Sequence, residues 1–432
     1  MSGALYIGID LGTSGCRAIA IDAQQQIQGE ARFAMPDPIQ KGNGFEQAPQ
    51  IWWDTVAKTL RKLLQIIPVD QVAAIAIDGT SSTLLLCDHN GQPIGPAVMY
   101  NDARADAEAE RMQRIVPKES AAHGPSSGLA KLLWLQRHQP LEHVRHVCHQ
   151  ADWILGQFCG RFDRSDTNNC LKLGFDPINH IWPEWLGHLG VLVEWLPKVY
   201  LPGQPLGQIS AACAERFGLP ATTKMVSGTT DSTAAFMATG AHQVGEAVTS
   251  LGSTLVMKVI SPVPISAPEY GLYSQPLGER WLVGGGSNSG GRVLRHFFDN
   301  DQLTELSAKI DPQQPSGLDY YPLLSPGERF PSNDPQLQPR MTPRPDEASQ
   351  FLHGLLEGMA RIEQQAYHRL AELGAPYPSS IRSAGGGAKN PQWHAIRQQL
   401  LNTKMEPAQQ QEAAYGSALL AQKGITGEQP ND

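Results

Sequence analysis

Apolar runs alternate with polar turns along this chain, and one such arrangement occurs in both halves. Leu5 to Asp10 runs into Leu11-Gly12-Thr13-Ser14-Gly15, and Arg17 to Asp22 is again mostly apolar. Residues 245–250 run into Leu251-Gly252-Ser253-Thr254, followed by Leu255 to Val259. Each stretch predicts a β-hairpin with a Gly/Ser/Thr tip. Between the two copies the period changes. Residues 49–67 carry Ile51, Val56, Leu60, Leu63 and Leu64 at helical spacing, and 72–77 and 84–87 read as short buried strands. Residues 103–115, 129–138 and 151–158 predict helices, and 226–231 predicts a strand leading into a helix over 232–239 with Asp231 at its N-terminal end. Farther on, 350–373 is strongly amphipathic, 383–390 is a glycine loop opening a helix over 391–401, and 411–422 is a last helix expected to pack back on the first half. Strands alternating with helices predict mixed or parallel sheets covered by helices. Residues 326–345 hold six prolines and several charges, which predicts a long loop.

Composition narrows the class. At 432 residues the chain is long enough for two or three domains, and 41% hydrophobic with 18% charged residues is ordinary for a globular protein. A net charge of −8 argues against nucleic acid or an acidic membrane as the main partner. No apolar run reaches the roughly 18 to 20 residues of a membrane span, and the start lacks a basic, cleavable leader. The expectation is a cytoplasmic protein, monomer or homodimer. The six cysteines form no CxxC pair and read as reduced core residues. His143, His146 and His149 recur at every third position, as on one helix face, with no carboxylate or cysteine to complete a metal site.

The hairpin tips carry the candidate chemistry. Glycine there allows several N–H donors to converge on one anion, so a turn of this kind suits phosphate, and two copies suggest duplicated domains gripping a nucleotide between them. A P-loop is excluded because no Gly-Lys dipeptide occurs, and neither residues 284–290 nor 385–390 fit GxGxxG. Phosphoryl transfer needs N–H groups and Mg²⁺ around the transferred group, with one base on the attacking hydroxyl. Asp231 at a helix start is the candidate base, with a plain helix cap as the alternative. Asp10 is the candidate for organising Mg²⁺ through water, with turn stabilisation as the alternative.

With these motifs in order, the sequence resembles the FGGY family of carbohydrate kinases, within the hexokinase, Hsp70 and actin superfamily. Asp10-Leu11-Gly12-Thr13-Ser14 is similar to its first phosphate motif, and Glu46-Gln47-Ala48-Pro49 with Trp52-Trp53 to the segment that follows. Asn101-Asp102-Ala103-Arg104 and residues 165–169 resemble sugar-side stretches. Residues 228–232 resemble the segment of the catalytic aspartate, 250–254 the second phosphate motif, 327–335 a G-E-R…D-P loop and 385–393 the adenosine motif. Family members are commonly longer, at about 500 residues. Where xylulose kinases carry a Met-His-Gly contact, this chain reads Asp78-Gly79-Thr80-Ser81-Ser82-Thr83. That departure resembles the short D-ribulokinase-like branch, often labelled xylulose kinase-like.

The resemblance implies an α/β protein of two ribonuclease-H-like domains of the actin/hexokinase/Hsp70 ATPase type, with the active site in the cleft between them. The implied boundaries are 1–238 plus 411–432 for the sugar-binding and catalytic domain, and 239–410 for the nucleotide-binding domain. It implies ATP and Mg²⁺ as cofactors and a sugar, most simply an open-chain ketopentose with D-ribulose preferred, as substrate. Asp231 would deprotonate the terminal hydroxyl, and Asp10 and Asp231 would hold Mg²⁺ through water. Gly12, Thr13, Ser14, Gly252, Ser253 and Thr254 would cradle phosphates. Gly386, Gly387, Asn390 and Trp393 would line the adenosine pocket, with ordinary core packing as the alternative for Trp393. Asp10, Ser81, Ser82, Asp102, Arg104 and Asp231 would face the sugar, with strand-end turn residues as the alternative for the two serines. D-xylulose or another ketose or polyol remains an alternative substrate. So do two other classes: an actin- or Hsp70-like switch ATPase, and a weakly active sugar-binding relative.

Overall fold

A computed structural model describes residues 3–427. Thr239–Gln411 forms one compact unit, and the described residues on either side of it form another. Residues 428–432, assigned from sequence to the first domain, lie outside the described residues, as do residues 1 and 2. Gln411 belongs to the second unit, not the first. Its side-chain Oε1 accepts from the N–H of Gly385 at 3.1 Å, which ties it to the glycine loop there.

The first unit is built on a six-stranded sheet. In chain order its strands are β1 (Leu5–Leu11), β2 (Gly15–Ile21), β3 (Ile27–Ala34), β4 (Val72–Gly79), β5 (Pro205–Gln208) and β6 (Lys224–Thr230), in spatial order β5-β6-β4-β1-β2-β3. The hairpin β1–β2 is antiparallel, whereas β1, β4 and β6 run parallel. A central strand covered on both faces must be apolar throughout, and β1 is buried from Leu5 to Ile9. Helix α1 (Pro49–Leu64) opens on a proline in its first turn and buries Trp52, Trp53, Val56, Leu60 and Leu63. A smaller five-stranded sheet includes Gly44–Gln47, Leu84–Cys87 and His146–His149. The histidine triplet therefore does not lie along one helix: His146–His149 is a strand, and His149 caps the next helix, α3 (Gln150–Cys159), in a reciprocal pair with Asp152. The preceding helix, α2 (Gly128–His138), starts at Ser127, whose hydroxyl accepts from Ala130 N–H.

Two glycines show how tightly this unit closes around the ends of its strands. Helix α4 (Asp231–Ala238) follows β6, and the last helix, α9 (Ala413–Thr426), packs across β1, β4 and α4. A Cβ on Gly8 would fall 1.9 Å from Ala414 O, and one on Gly416 would fall 1.9 Å from Ala234 O. Backbone touches backbone there, so no larger residue fits.

The second unit repeats the plan. Its strands β7 (Glu246–Leu251), β8 (Leu255–Ser261), β9 (Ser274–Leu277), β10 (Arg280–Ser287), β11 (Ser380–Ala384) and β12 (Lys404–Glu406) lie in the order β9-β10-β8-β7-β11-β12. Here too a hairpin, β7–β8, has a parallel neighbour, β11, beside its first strand. Helices α5 (Gly291–Phe297), α6 (Asn300–Ser307), α7 (Ala348–Glu372) and α8 (Pro391–Leu401) cover it. The long helix α7 buries Phe351, Leu355, Leu356, Met359 and Ile362. It also buries Glu363, whose charge is met by Arg397 at 2.6 Å from α8.

Candidate functional site

In the first unit, three aspartates stand at the C-terminal ends of three neighbouring parallel strands. Asp10 pairs in register with Asp78 across β1 and β4, Asp78 pairs with Thr229 across β4 and β6, and Asp231 follows β6 as the first residue of α4. Sequence reasoning named Asp10 and Asp231 and passed over Asp78. The signal was present, because residues 74–79 (Ala-Ile-Ala-Ile-Asp-Gly) repeat the apolar-run-then-aspartate of residues 7–12. Asp78 is fully buried and accepts from Ser417 Oγ of α9 at 2.6 Å. Burial, then the charge of Asp10, pushes the Asp78 carboxyl well above the usual carboxylate range. Burial also raises Asp10, opposed by its contact with Asp78 and by the Arg17 guanidinium. Arg17 sits opposite Asp10 in the hairpin and is itself paired with Glu412 and Glu30. The Asp231 carboxylate accepts from Ser232 N–H at 2.6 Å.

The first hairpin tip is held by its own backbone. Gly12 N–H donates to Gly15 O at 3.0 Å, and Met35 N–H donates to Ser14 O at 2.9 Å. Thr13 is partly exposed and Ser14 exposed. Among the described residues, their N–H groups enter no backbone hydrogen bond. That leaves two adjacent donors at a turn, as an anion site requires.

The loop after β4 is pinned from both ends. Thr80 N–H and Oγ1 both reach Gln150 Oε1, at 3.0 and 2.8 Å, and Gln150 N–H donates to Thr83 O. Ser81 is partly exposed, whereas Ser82 is 1% exposed with φ of +68°. Asp102 is turned inward: it is 0% exposed and accepts from Phe45 N–H at 2.6 Å and from Arg104 N–H and Nε. Arg104 also pairs with Glu46 at 2.6 Å and lies 4.7 Å from the Trp134 ring. This network spends the polar groups of Asp102 on fixing the loop. Residues 166–169 form a buried polar turn in which Asp166 accepts from the N–H groups of Asn168 and Asn169, and Asn168 Nδ2 donates to Thr229 Oγ1 at 2.9 Å. Burial, then the charge of Asp152, pushes Asp166 up to about 7.

In the second unit a cavity of about 720 Å³ gathers the second hairpin tip and the glycine loop. That size lies within the range of small-molecule sites. Gly252, Ser253, Gly386, Gly387, Asn390 and Trp393 all line it, whereas Thr254 does not. Asn390 caps α8 by accepting from Trp393 N–H at 3.0 Å, and its Nδ2 donates to Ser307 Oγ at 2.8 Å. Trp393 is 1% exposed and packs under Gly387, where a Cβ would fall 2.4 Å from its ring. The indole is thus both core and cavity floor. Sequence reading missed the wall formed by α5 and α6, including Arg295, whose Nη2 donates to Ser253 Oγ at 2.9 Å. Nothing in the local pattern of α5 or α6 marks a wall, because only the fold brings them beside the glycine loop.

Glu328 of the G-E-R segment is buried and accepts from Ser287 Oγ, Asn288 N–H and Tyr321 Oη. It is an anchor for the proline-rich loop.

Comparisons with known proteins cover both units. Residues 5–238 match the N-terminal domain of the FGGY family of carbohydrate kinases, and residues 247–424 match its C-terminal domain. The chain is 26% identical over 414 residues to a xylulose kinase of Escherichia coli, covering 91% of this chain and 84% of that protein. It is 24% identical to a xylulose kinase of Bacillus subtilis, covering 97% and 88%. Its fold matches the crystal structure of a xyloylose kinase from Brucella ovis, with a TM-score of 0.88 at 23% identity over 99% of this chain and 91% of that one. It also matches Plasmodium falciparum glycerol kinase with ADP, with a TM-score of 0.85 at 16% identity over 98% and 90%. With both halves accounted for, the chain belongs to the FGGY family of carbohydrate kinases, enzymes that phosphorylate sugars at the expense of ATP.

Proposed function

We propose that this kinase phosphorylates the terminal hydroxyl of an open-chain ketopentose, with Asp231 as the base. The observation that carries the reading is the row Asp10–Asp78–Asp231 on adjacent strand ends in the first unit. Asp231 stands at a helix N-terminus, where the backbone dipole favours the ionised, proton-accepting form. The nucleotide belongs to the second unit. Its 720 Å³ cavity would take adenosine against Gly386, Gly387, Asn390 and Trp393. Gly12, Thr13 and Ser14 on one tip and Gly252, Ser253 and Thr254 on the other would bind phosphate oxygens.

Mg²⁺ suits the donor set of the first unit, since the partly exposed carboxylates of Asp10 and Asp231 flank the buried Asp78 and favour a hard cation held through its waters. Asp10 and Asp231 would hold it. When bound, it neutralises charge on the phosphates as the transferred group leaves.

Two ketopentoses compete as substrate. The relatives named xylulose kinase favour D-xylulose. The reading for D-ribulose rests on the loop Thr80–Thr83 standing where xylulose kinases carry Met-His-Gly; in that loop Ser82 Oγ is buried and makes no hydrogen bond within the described residues. Small hydroxyls in that loop discriminate epimers by direction of hydrogen bonding. A coupled ADP-release assay over ketoses and polyols tests the whole reading. Turnover with a ketopentose supports it, and turnover confined to aldoses or polyols overturns it. Steady-state kinetics with both ketopentoses then ranks them. The switch-ATPase alternative gives way to the family placement. Among the described residues, no helix is long and apolar enough to cross a membrane.

A further inference from the structure

Lys131 is the least expected residue in the first unit. It lies on α2, is 1% exposed, and ranks among the largest fully buried side chains of the chain. Its ammonium meets no carboxylate at ion-pair distance among the described residues. Instead, Nζ donates to two backbone carbonyls, Ser82 O at 3.0 Å and Tyr100 O at 2.9 Å. Burial draws its pKa down to about 7, with the Asp102 charge acting the other way and Lys172 reinforcing the fall. A buried amine with no counter-ion is a costly way to fill space that methionine would fill without desolvation.

The two carbonyls belong to the two loops in which the sugar-side residues sit. One is the loop 80–83 after β4, and the other leads into Asp102 and Arg104. Ser82 is also one of the non-glycine residues with positive φ, at +68°. Serine seldom adopts that conformation, and surrounding structure must hold it there. A turn of the Ser82 backbone toward negative φ would carry its carbonyl off the lysine. The flanking residues Thr80 and Thr83 are tied to Gln150 and to each other; the hydrogen bond from Nζ is the contact made to the Ser82 carbonyl itself, and it opposes relaxation of that residue.

We propose that Lys131 is a positioning residue for the sugar site: by holding the carbonyls of Ser82 and Tyr100 it locks Ser82 in its left-handed conformation and so sets ketopentose affinity and epimer selectivity. This rests on the reading above that the loop 80–83 faces the sugar. Nothing in the local sequence marks Lys131 for such a role, because it stands in an apolar helix, Leu129-Ala130-Lys131-Leu132-Leu133.

The test is a double-mutant cycle with glycine, which adopts positive φ without strain. Lys131→Met should raise the ketopentose KM by roughly tenfold or more, with ATP KM and kcat within about twofold of wild type. In a Ser82→Gly background the same change should shift the sugar KM by less than about twofold, since the lock is then unnecessary. An equal effect in both backgrounds, or a parallel rise in ATP KM, would overturn the proposal, because plain packing loss predicts both. Lys131→Gln keeps a donor and should hold the sugar KM nearer to wild type than the methionine variant does; if Lys131→Met does not fold, Lys131→Leu replaces it and is judged by the same criteria. Ser81→Ala separates the two levels. Unchanged sugar KM and selectivity in that variant sinks the placement of the loop at the sugar, whereas a changed Ser81→Ala with a silent Lys131→Met sinks only the role of the lysine.

Discussion

The two hairpins are built alike and furnished differently. In each unit a glycine-tipped hairpin has a parallel strand beside its first strand. The residue two before the tip glycine is Asp10 in the first copy and Ser250 in the second. Its in-register partner on the parallel strand is Asp78 in the first and Ala384 in the second. One fold element therefore presents a pair of carboxylates in one unit and two small neutral groups in the other. Negative charge next to a phosphate is tolerable only where a cation or a proton-transfer step uses it. On the proposed function, this difference goes with chemistry in the first unit and binding in the second.

Asp231→Asn gives the largest expected effect. The amide keeps the volume and hydrogen bonding but does not accept a proton, so kcat should fall by roughly 10²-fold or more. ATP affinity, measured by nucleotide titration, should stay near wild type. Near-normal kcat would move the base elsewhere and break the assignment of chemistry to the first unit.

The comparison sharpens when Asp10→Ala is set beside Ser250→Ala. Loss of Asp10 should lower turnover by more than about tenfold at low Mg²⁺, with partial recovery as Mg²⁺ is raised. Loss of Ser250 should change ATP KM by only a few-fold and leave the Mg²⁺ dependence alone. Equal Mg²⁺ responses in the two variants would mean that the hairpins are functionally equivalent despite their different residues.

How far these differences could be read from sequence varies by element. The hairpins, α4 with Asp231 at its start and the helix after the glycine loop all follow from local signals: apolar runs, turn residues and a single capping position. In the second unit the glycine loop and Asn390 were legible for the same reason, as they adjoin in sequence, whereas the wall of α5 and α6 was not. Asp78 and Lys131 were not singled out, because their meaning lies in long-range packing: Asp78 is in register with Asp10, 68 residues away, and Lys131 is buried on Ser82 and Tyr100, 49 and 31 residues away. Asp102 was placed facing the sugar by motif, yet its carboxylate is occupied by Phe45 and Arg104. Short-range pattern records which residue is present and leaves its direction to the long-range packing.

A Cβ at Gly387 probes the binding side with a smaller effect. It would meet the Trp393 ring at 2.4 Å and Leu251 Cβ at 2.9 Å, so one of them must shift. Gly387→Ala should raise ATP KM by about fivefold to tenfold with sugar KM and kcat little changed. A rise in sugar KM of the same size would break the division of labour between the units.

The last consequence touches stability, with the least effect on catalysis. Around the strand ends of the first unit, Asp78 and Asp166 are buried and Asp10 partly so, and burial raises the proton affinity of all three, Asp166 to about 7. In the second unit, Glu363 meets Arg397, Glu357 meets Arg361 and Glu246 meets Arg382. Burial would raise Glu246, but the N–H groups of Gln243 and His242 and the Arg382 guanidinium hold it below its ordinary 4.5. A carboxyl with raised folded pKa binds more protons folded than unfolded over the interval between the two values. Its stabilising contribution is complete below the unfolded pKa and is lost as pH rises through the folded one. A carboxyl with lowered pKa stabilises above its unfolded value and loses that only as pH falls, so Glu246 contributes no slope above about 4.5. The first unit should therefore weaken between about pH 4.5 and 7 while the second does not, with at most ~3 kcal/mol from Asp166 alone. Histidines lowered by burial add a stabilising contribution as pH rises through the same region: His146 offsets part of the fall in the first unit, and His353 and His394 give the second unit a rise. Hydrogen exchange read separately on β1, β4 and β6 and on β7, β8 and β11 measures both slopes. Asp166→Asn, which retains a capping side chain at that turn, should flatten the slope of the first unit. Parallel slopes in the two units, or an unchanged slope in that variant, would show that the buried carboxylates of the first unit are not what distinguishes it.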